Sequence, residues 1–179
     1  VKILIVRYID IIKDQKKSCT AERLSQLELM EKSLMNISSN GAENLYEAMQ
    51  LYILLWTVMC LEQAPNPYAF SVGNADRIFE PYRGELSRED AAELFKHFLV
   101  FYNVGDRSWA ISQNLIVSGR DVNGNDLTNE TSYALMDAYF DMNLPQPILS
   151  VKLHKNSPDK LYEEMGKFFF SPGVLTPSL

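Results

Sequence analysis

Residues 144–160 read LPQPILSVKLHKNSPDK, and the fold turns on what this run can become. Pro145 and Pro147 hold the approach extended, because proline fixes φ and biases the residue before it away from helix. Residues 148–153 (ILSVKL) then alternate apolar and polar side chains, the period of a strand. Ser157 followed by Pro158 predicts an N-cap with proline at the first helical position. Leu161, Met165, Phe168 and Phe169 mark the inward side of the next helix. A strand passing straight into a helix is half of a parallel crossover unit, so the same pattern is expected elsewhere in the chain.

It recurs upstream. Ser87 with Asp90 caps a helix whose Ala91, Leu94, Phe95, Phe98, Leu99 and Tyr102 form one stripe. Residues 114–117 (NLIV) are a second short apolar run, residues 118–126 a Gly/Asn/Asp loop, and Thr128 caps a helix carrying Leu135, Ala138, Tyr139 and Met142 inward. In residues 65–84 (PNPYAFSVGNADRIFEPYRG) the prolines stop a helix, residues 68–72 favour strand, and Gly73-Asn74 has turn chemistry. A last extended piece, residues 174–179, comes after Pro172-Gly173.

The first third is helical. Leu24, Leu27, Met30 and Leu34 lie at helical spacing in residues 20–36, and NISSNG at 36–41 breaks the run. Asn40 with Glu43 is a capping pair for a helix from Asn44 to Glu62. That helix is apolar nearly all round, so nearly all of its sides need cover. The expected fold class is α/β: a layer or partial barrel of short, mainly parallel strands alternating with helices. Residues 1–64 form its helical part and residues 65–179 its strand–helix units, as a single segment.

With 179 residues, 46% hydrophobic and 22% charged, the chain has the composition of one soluble globular core. A net charge of −6 without a basic cluster argues against nucleic acid as a partner. Charges interrupt the apolar start VKILIVRYIDII before it could span a membrane. Cys19 and Cys60 stand alone, which fits a reducing, cytoplasmic compartment and offers neither a zinc site nor a redox pair. The absence of an initiator Met leads to the expectation that the chain is an internal segment of a longer protein.

Phosphate-loop, dinucleotide, zinc-protease and nucleophile-elbow signatures are missing. The 118–130 loop alternates Asp121, Asn123 and Asn125 as calcium ligands do. A calcium loop starting there needs Gly at its sixth position and Glu at its twelfth, where Asp126 and Ser132 stand, so a turn leading into a helix is expected. His97, on an amphipathic helix, reads as a surface residue. His154, at a strand end, is a candidate to touch ligand. Trp109, at a helix-to-strand joint, could line a pocket or simply pack, and Tyr68 and Ala69 present the same choice.

Four stretches in one order, ENLYEAMQLYILLW, SVGNADRIFEPYRGELSREDAAELF, QNLIVSGRDVNGNDLTNETSY and LPQPILSVKLHKNSPD, together resemble the catalytic chain of the glycyl radical enzymes, the pyruvate formate-lyase-like superfamily. The likeness covers residues 40–179 and lies nearer the dehydratase, lyase and decarboxylase branch. It implies part of a ten-stranded α/β barrel around two loops, one with a cysteine that becomes a thiyl radical, the other with a glycine that stores the radical. A separate S-adenosylmethionine-dependent, iron–sulfur activating enzyme installs that radical. The implied partners are this activating enzyme, a small-molecule substrate and a second copy of the parent protein. The implied segment binds no cofactor itself, lacks the cysteine loop and the radical glycine, and is inactive alone. Tyr68 and Ala69 occupy the place of a His-Ser pair that binds substrate hydroxyls in polyol dehydratases, and Gly73-Asn74 stands where the family has Gly-Arg. Losing the His-Ser pair puts a polyol in doubt, and the aromatic face and single phenol of Tyr68 would suit a less polar substrate. Tyr68, Ala69, Trp109 and His154 are the expected substrate-binding residues, with no catalytic or metal-binding residue. The competing expectations are a formate acetyltransferase of the pyruvate formate-lyase type and a stand-alone, non-catalytic α/β module.

Overall fold

In a computed structural model the chain is described over residues 1–63, 70–109 and 113–179, with residues 106–109 as backbone alone. Helices α1 (Lys2–Gln15), α2 (Ala21–Ser39) and α3 (Leu45–Glu62) come first. Next in order are β1 (Gly73–Asn74), α4 (Ala75–Arg83), α5 (Arg88–Trp109), β2 (Asn114–Ser118), α6 (Glu130–Met142), β3 (Ile148–Lys152) and α7 (Asp159–Phe170).

The strands form one parallel sheet in the order β1-β2-β3. Asn74 pairs with Ile116, Ile116 with Ser150, and Ser150 bridges in parallel to Ser178 in the final extended piece. Each strand-to-strand link crosses over through helix, as parallel pairing requires. Alternation along β2 and β3 sends Leu115, Val117, Leu149 and Val151 into the core, where each is at most 1% exposed. The opposite face, with Ile116 and Ser150, stays half-buried.

Two cores hold these layers together. Ile5, Ile9 and Ile12 of α1 meet Leu27, Leu34 and Ile37 of α2 in a helical hairpin. The larger core gathers aromatic rings from three helices: Trp56 lies 5.1 Å from Tyr102, Phe98 5.4 Å from Tyr102, and Phe79 5.5 Å from Phe98, centroid to centroid. Such offset and edge-on contacts add to plain burial. A Cβ on Gly105 would stand 2.3 Å from the Trp56 ring, so only glycine lets α5 approach α3 this closely. The Tyr52 and Tyr102 hydroxyls both lie 2.8 Å from the Phe70 carbonyl, which fixes the approach to β1.

Several local expectations need correction. Helix α2 runs through Asn36 to Ser39, because Ser38 hydrogen-bonds back to Met35 O at 2.8 Å and stays helical. Asn40 therefore closes α2, and α3 is capped by Asn44, which accepts from Glu47 N. Gly73-Asn74 is a strand, not a turn: glycine takes φ +73 there while the pair still bonds to β2. Helix α4 was not foreseen; Pro81 sits within it, and Ala75, Asp76 and Phe79 turn inward. The cap of α6 is Asn129 in a reciprocal box with Ser132, because Thr128 is engaged by Asp126. The cap of α7 is Pro158, since the Ser157 hydroxyl accepts from His154 N instead. Leu24 and Phe169 face solvent. The Ser87 cap, the α5 stripe, β2 and β3 stand as read.

Helix α3 is only partly covered: Leu55, Met59 and Leu61 are exposed. Across the back of the sheet, Arg88 at the start of α5 bridges Asp137 of α6 and Glu164 of α7. The Arg88 guanidinium, helped by Lys167, holds the Glu164 carboxyl down at about 2 against the opposing effect of burial. A depressed carboxylate stabilises the fold fully above its ordinary value of 4.5 and loses that contribution as pH falls toward about 2. Glu164→Gln in the intact protein should therefore cost on the order of 2–3 kcal/mol at neutral pH, shrinking toward zero at low pH. Denaturant titrations across that range check this; a pH-independent difference would contradict it.

Candidate functional site

Helix α4 begins directly at the end of β1, which places its first turn at the carboxyl edge of the sheet. Asp76 in that turn is fully buried. A buried carboxylate needs donors for its lone pairs. Asp76 receives Arg77 N on Oδ1 at 2.8 Å, and Ser118 N and Ser132 Oγ on Oδ2, each at 2.6 Å. Burial pushes its carboxyl up from the ordinary value, and the donors from Ser132, Ser118 and Arg77 pull it part of the way back. One turn later Glu80 accepts from the Thr131 amide and hydroxyl. Burial would raise Glu80, but those bonds and Arg83 hold it below its usual value. Two carboxylates spaced i, i+4 on α4 thus grip the first turn of α6, whose amides and helix dipole favour negative charge.

The Asp76–Ser118 bond fixes where β2 ends. Ser118 adopts φ 63 and Gly119 φ 102, and the chain turns over the sheet edge. A side-chain residue in the left-handed region is uncommon and clusters at functional sites. The turn leaves a cleft of about 630 Å³ over the strand ends, lined by Arg77, Gly119, Arg120, Ser150, Lys152 and His154 among others. Parallel α/β sheets bind ligands at this edge.

Above the cleft the 119–129 loop is held by its own side chains. Asp121 accepts from Asn123 N, Asn125 N and Asn125 Nδ2 at 2.8–2.9 Å, so it serves the turn, as expected from its failed calcium spacing. Asp126 accepts from the Thr128 hydroxyl and lies 3.0 Å from His154 Nε2. His154 Nδ1 accepts from Asn156 N at 3.3 Å, which assigns the ring proton to Nε2. Among the described residues no group of three His, Cys, Asp or Glu converges as a metal site, and no helix is long and apolar enough to cross a membrane.

Of the four expected site residues, His154 lines the cleft. Its ring is 7% exposed, with both nitrogens engaged, so it can present a ring edge while latching two loops. Tyr68 and Ala69 lie outside the described residues. Trp109 is the last residue of α5, and its side chain lies outside them as well. His97 is exposed, as expected. Sequence reading missed Arg77, Arg120 and Lys152. Lys152 could have been found as the last residue of a recognised strand, whereas Arg77 was hidden because α4 itself was not recognised.

Residues 1–179 match the family described as pyruvate formate lyase-like. Among curated proteins the chain is similar to the (2S)-3-sulfopropanediol dehydratase of Klebsiella oxytoca, 24% identical over 89% of this chain and 21% of that protein. Among solved structures it is similar to the glycerol-bound B12-independent glycerol dehydratase of Clostridium butyricum. There the identity is 26% and the TM-score 0.80, over 91% of this chain and 22% of that one. It shares its fold with a glycyl radical enzyme from Archaeoglobus fulgidus at TM-score 0.81 and 22% identity, over 93% of this chain and 23% of that one. The chain spans about a fifth of the length of the curated relatives it matches.

Removing the Asp76 carboxylate strands the Ser118 amide and the Ser132 hydroxyl. Asp76→Ala in the intact protein should lower unfolding stability by about 2–4 kcal/mol, and Asp76→Asn by less because one acceptor oxygen remains. Thermal or denaturant unfolding measures both; a loss within about 0.5 kcal/mol for Asp76→Ala would show that the knot carries no weight.

Proposed function

Since the chain belongs to the pyruvate formate lyase-like family, we propose that it forms consecutive staves of the barrel of a glycyl radical enzyme of the dehydratase, lyase or decarboxylase type. Its sheet edge makes part of the substrate-pocket wall. The observation that carries this reading is the cleft over the carboxyl ends of β2 and β3, built on a fold shared with enzymes of that kind. The protein that contains this segment acts on a small molecule, is activated by a separate S-adenosylmethionine-dependent enzyme, works in the cytoplasm and pairs with a second copy of itself.

In such an enzyme the stored radical supplies a thiyl group that takes a hydrogen atom from the substrate. Neither cysteine here fits that thiol. Cys60 is fully buried on α3 and burial pushes it up to about 11, while the Cys19 Sγ lies 3.6 Å from Lys16 O on a helical hairpin. On this reading the described residues supply walls, charge and exclusion of water, and the segment is inactive alone. Tyr68, Ala69, Trp109 and His154 remain the proposed contacts for the substrate body.

The uncovered apolar positions Leu55, Met59 and Leu61, on two sides of α3, support a segment that packs into a larger body over a stand-alone module, whose apolar faces would be covered within the chain. The decisive experiment is anaerobic activation of the full-length protein followed by electron paramagnetic resonance. A glycine-centred doublet is expected; its absence in a fully activated, folded sample would remove the proposal.

A further inference from the structure

The chain carries a net charge of −6, yet its cleft over the strand ends is bordered by three cations, Arg77, Arg120 and Lys152. Among the described residues none of the three enters an ion pair with a carboxylate. The acids nearby are committed elsewhere: Asp121 closes its own loop, Asp126 holds His154 and Thr128, and Asp76 is buried at the sheet edge with three donors of its own. Asp76 acts on Arg77 only through space and through the Arg77 amide.

The backbone is shaped to bring two of these cations together. Arg77 Nη2 donates to Ser118 O at 3.0 Å, which pins the guanidinium against the turn, while its Nε is buried without a partner. Gly119 sits between Arg77 and Lys152. A Cβ there would lie 3.0 Å from Arg77 Nη2 and 3.2 Å from Lys152 Cβ, so glycine is what lets both approach one spot. Lys152 leans at 3.4 Å on Asn74 Oδ1, a neutral acceptor that leaves its charge unbalanced. Cations gathered this way repel one another unless an anion lies between them, and a planar guanidinium fits an oxyanion better than any other small group.

We propose that this cleft seats the oxyanion, a carboxylate, sulfonate or phosphate, of a small substrate. Arg77 is the anchor, Lys152 the second point charge and Arg120 the rim. This deepens the proposed function and rests on it, because that function makes the cleft part of a substrate pocket. A neutral polyol offers the three cations only uncharged hydroxyl acceptors, whereas an anionic molecule gains charge-assisted bonds and drawn-in approach from the field.

Calorimetric titration of the unactivated full-length protein tests the seat without any radical. The probes are sulfate and glycolate, with ethylene glycol as the neutral counterpart of glycolate. Sulfate and glycolate should bind, more weakly as chloride rises, and ethylene glycol should not. Lys152→Gln and Arg77→Gln should each weaken anion binding about tenfold, and Arg120→Gln severalfold. Lys152 and Arg120 are exposed, so their variants carry the test even if Arg77→Gln misfolds. Gly119→Ala should also weaken binding by wedging between Arg77 and Lys152. Absence of anion binding in the folded wild type, equal binding of ethylene glycol, or unchanged affinity in Lys152→Gln and Arg120→Gln would each overturn the proposal. A radical signal in a protein that binds no anion removes the seat and leaves the enzyme reading standing. Anion binding that the cation variants abolish, in a protein that forms no radical, supports the seat and removes that reading.

Discussion

Taking a carboxylate out of water is costly unless donors replace the lost hydration, and few places in a small α/β layer offer several donors at one point. Asp76 occupies such a place, where α4 starts, β2 ends and α6 begins. Its bonds reach residues 42 and 56 positions away along the chain. Those two spacings close the crossovers around the sheet, and with Glu80 they set the angle at which α6 meets α4. Three features of the sheet edge depend on this knot: the left-handed Ser118, the turn at Gly119, and the Arg77 guanidinium held on Ser118 O.

The two sides of the molecule are finished differently. Behind the sheet, the core of Leu115, Val117, Leu149 and Val151 is sealed by α5, α6 and α7, and the Arg88 bridge ties all three helices together. In front, Ile116 and Ser150 face a cleft, and β1 and the residue Ser178 stand at the sheet's two margins. Separately, apolar positions are exposed on α1 (Ile3, Val6 and Ile11), α3 and α5 (Phe101 and Val104). Parallel sheets occur with both faces covered. On the proposed reading, further staves of a barrel supply the missing cover in front and at the margins.

Periodicity made the larger elements legible. The stripe from Ala91 to Tyr102, the alternation of 148–152 and the run 114–117 each announced their element, because burial on one face leaves a repeating mark in sequence. Strand then helix, three times over, gave the parallel arrangement. The misses share a cause: local chemistry was settled by distant partners. Gly73-Asn74 looks like a turn until β2 pairs with it, and residues 75–83 look irregular around Pro81 until Asp76 and Glu80 find Ser118, Ser132 and Thr131. Ser157 and Thr128 are good caps in isolation but were taken by His154 and Asp126. The same reason hid the cations of the cleft, which come from three separate elements and carry no motif. His154 was legible as a strand-end residue, though not as a latch whose two nitrogens are already engaged.

On the proposed reading this sheet is an open arc completed by further staves of the same barrel, with the Arg77, Arg120 and Lys152 cleft turned toward the enclosed space. A structure of the intact protein by electron cryomicroscopy tests it most directly. An open arc predicts that β1 and the extended piece at Ser178 each gain a further strand neighbour, that Leu55, Met59 and Leu61 of α3 are buried, and that the cleft opens into a closed interior. A structure in which both margins remain unpaired and the cleft faces bulk solvent would contradict it.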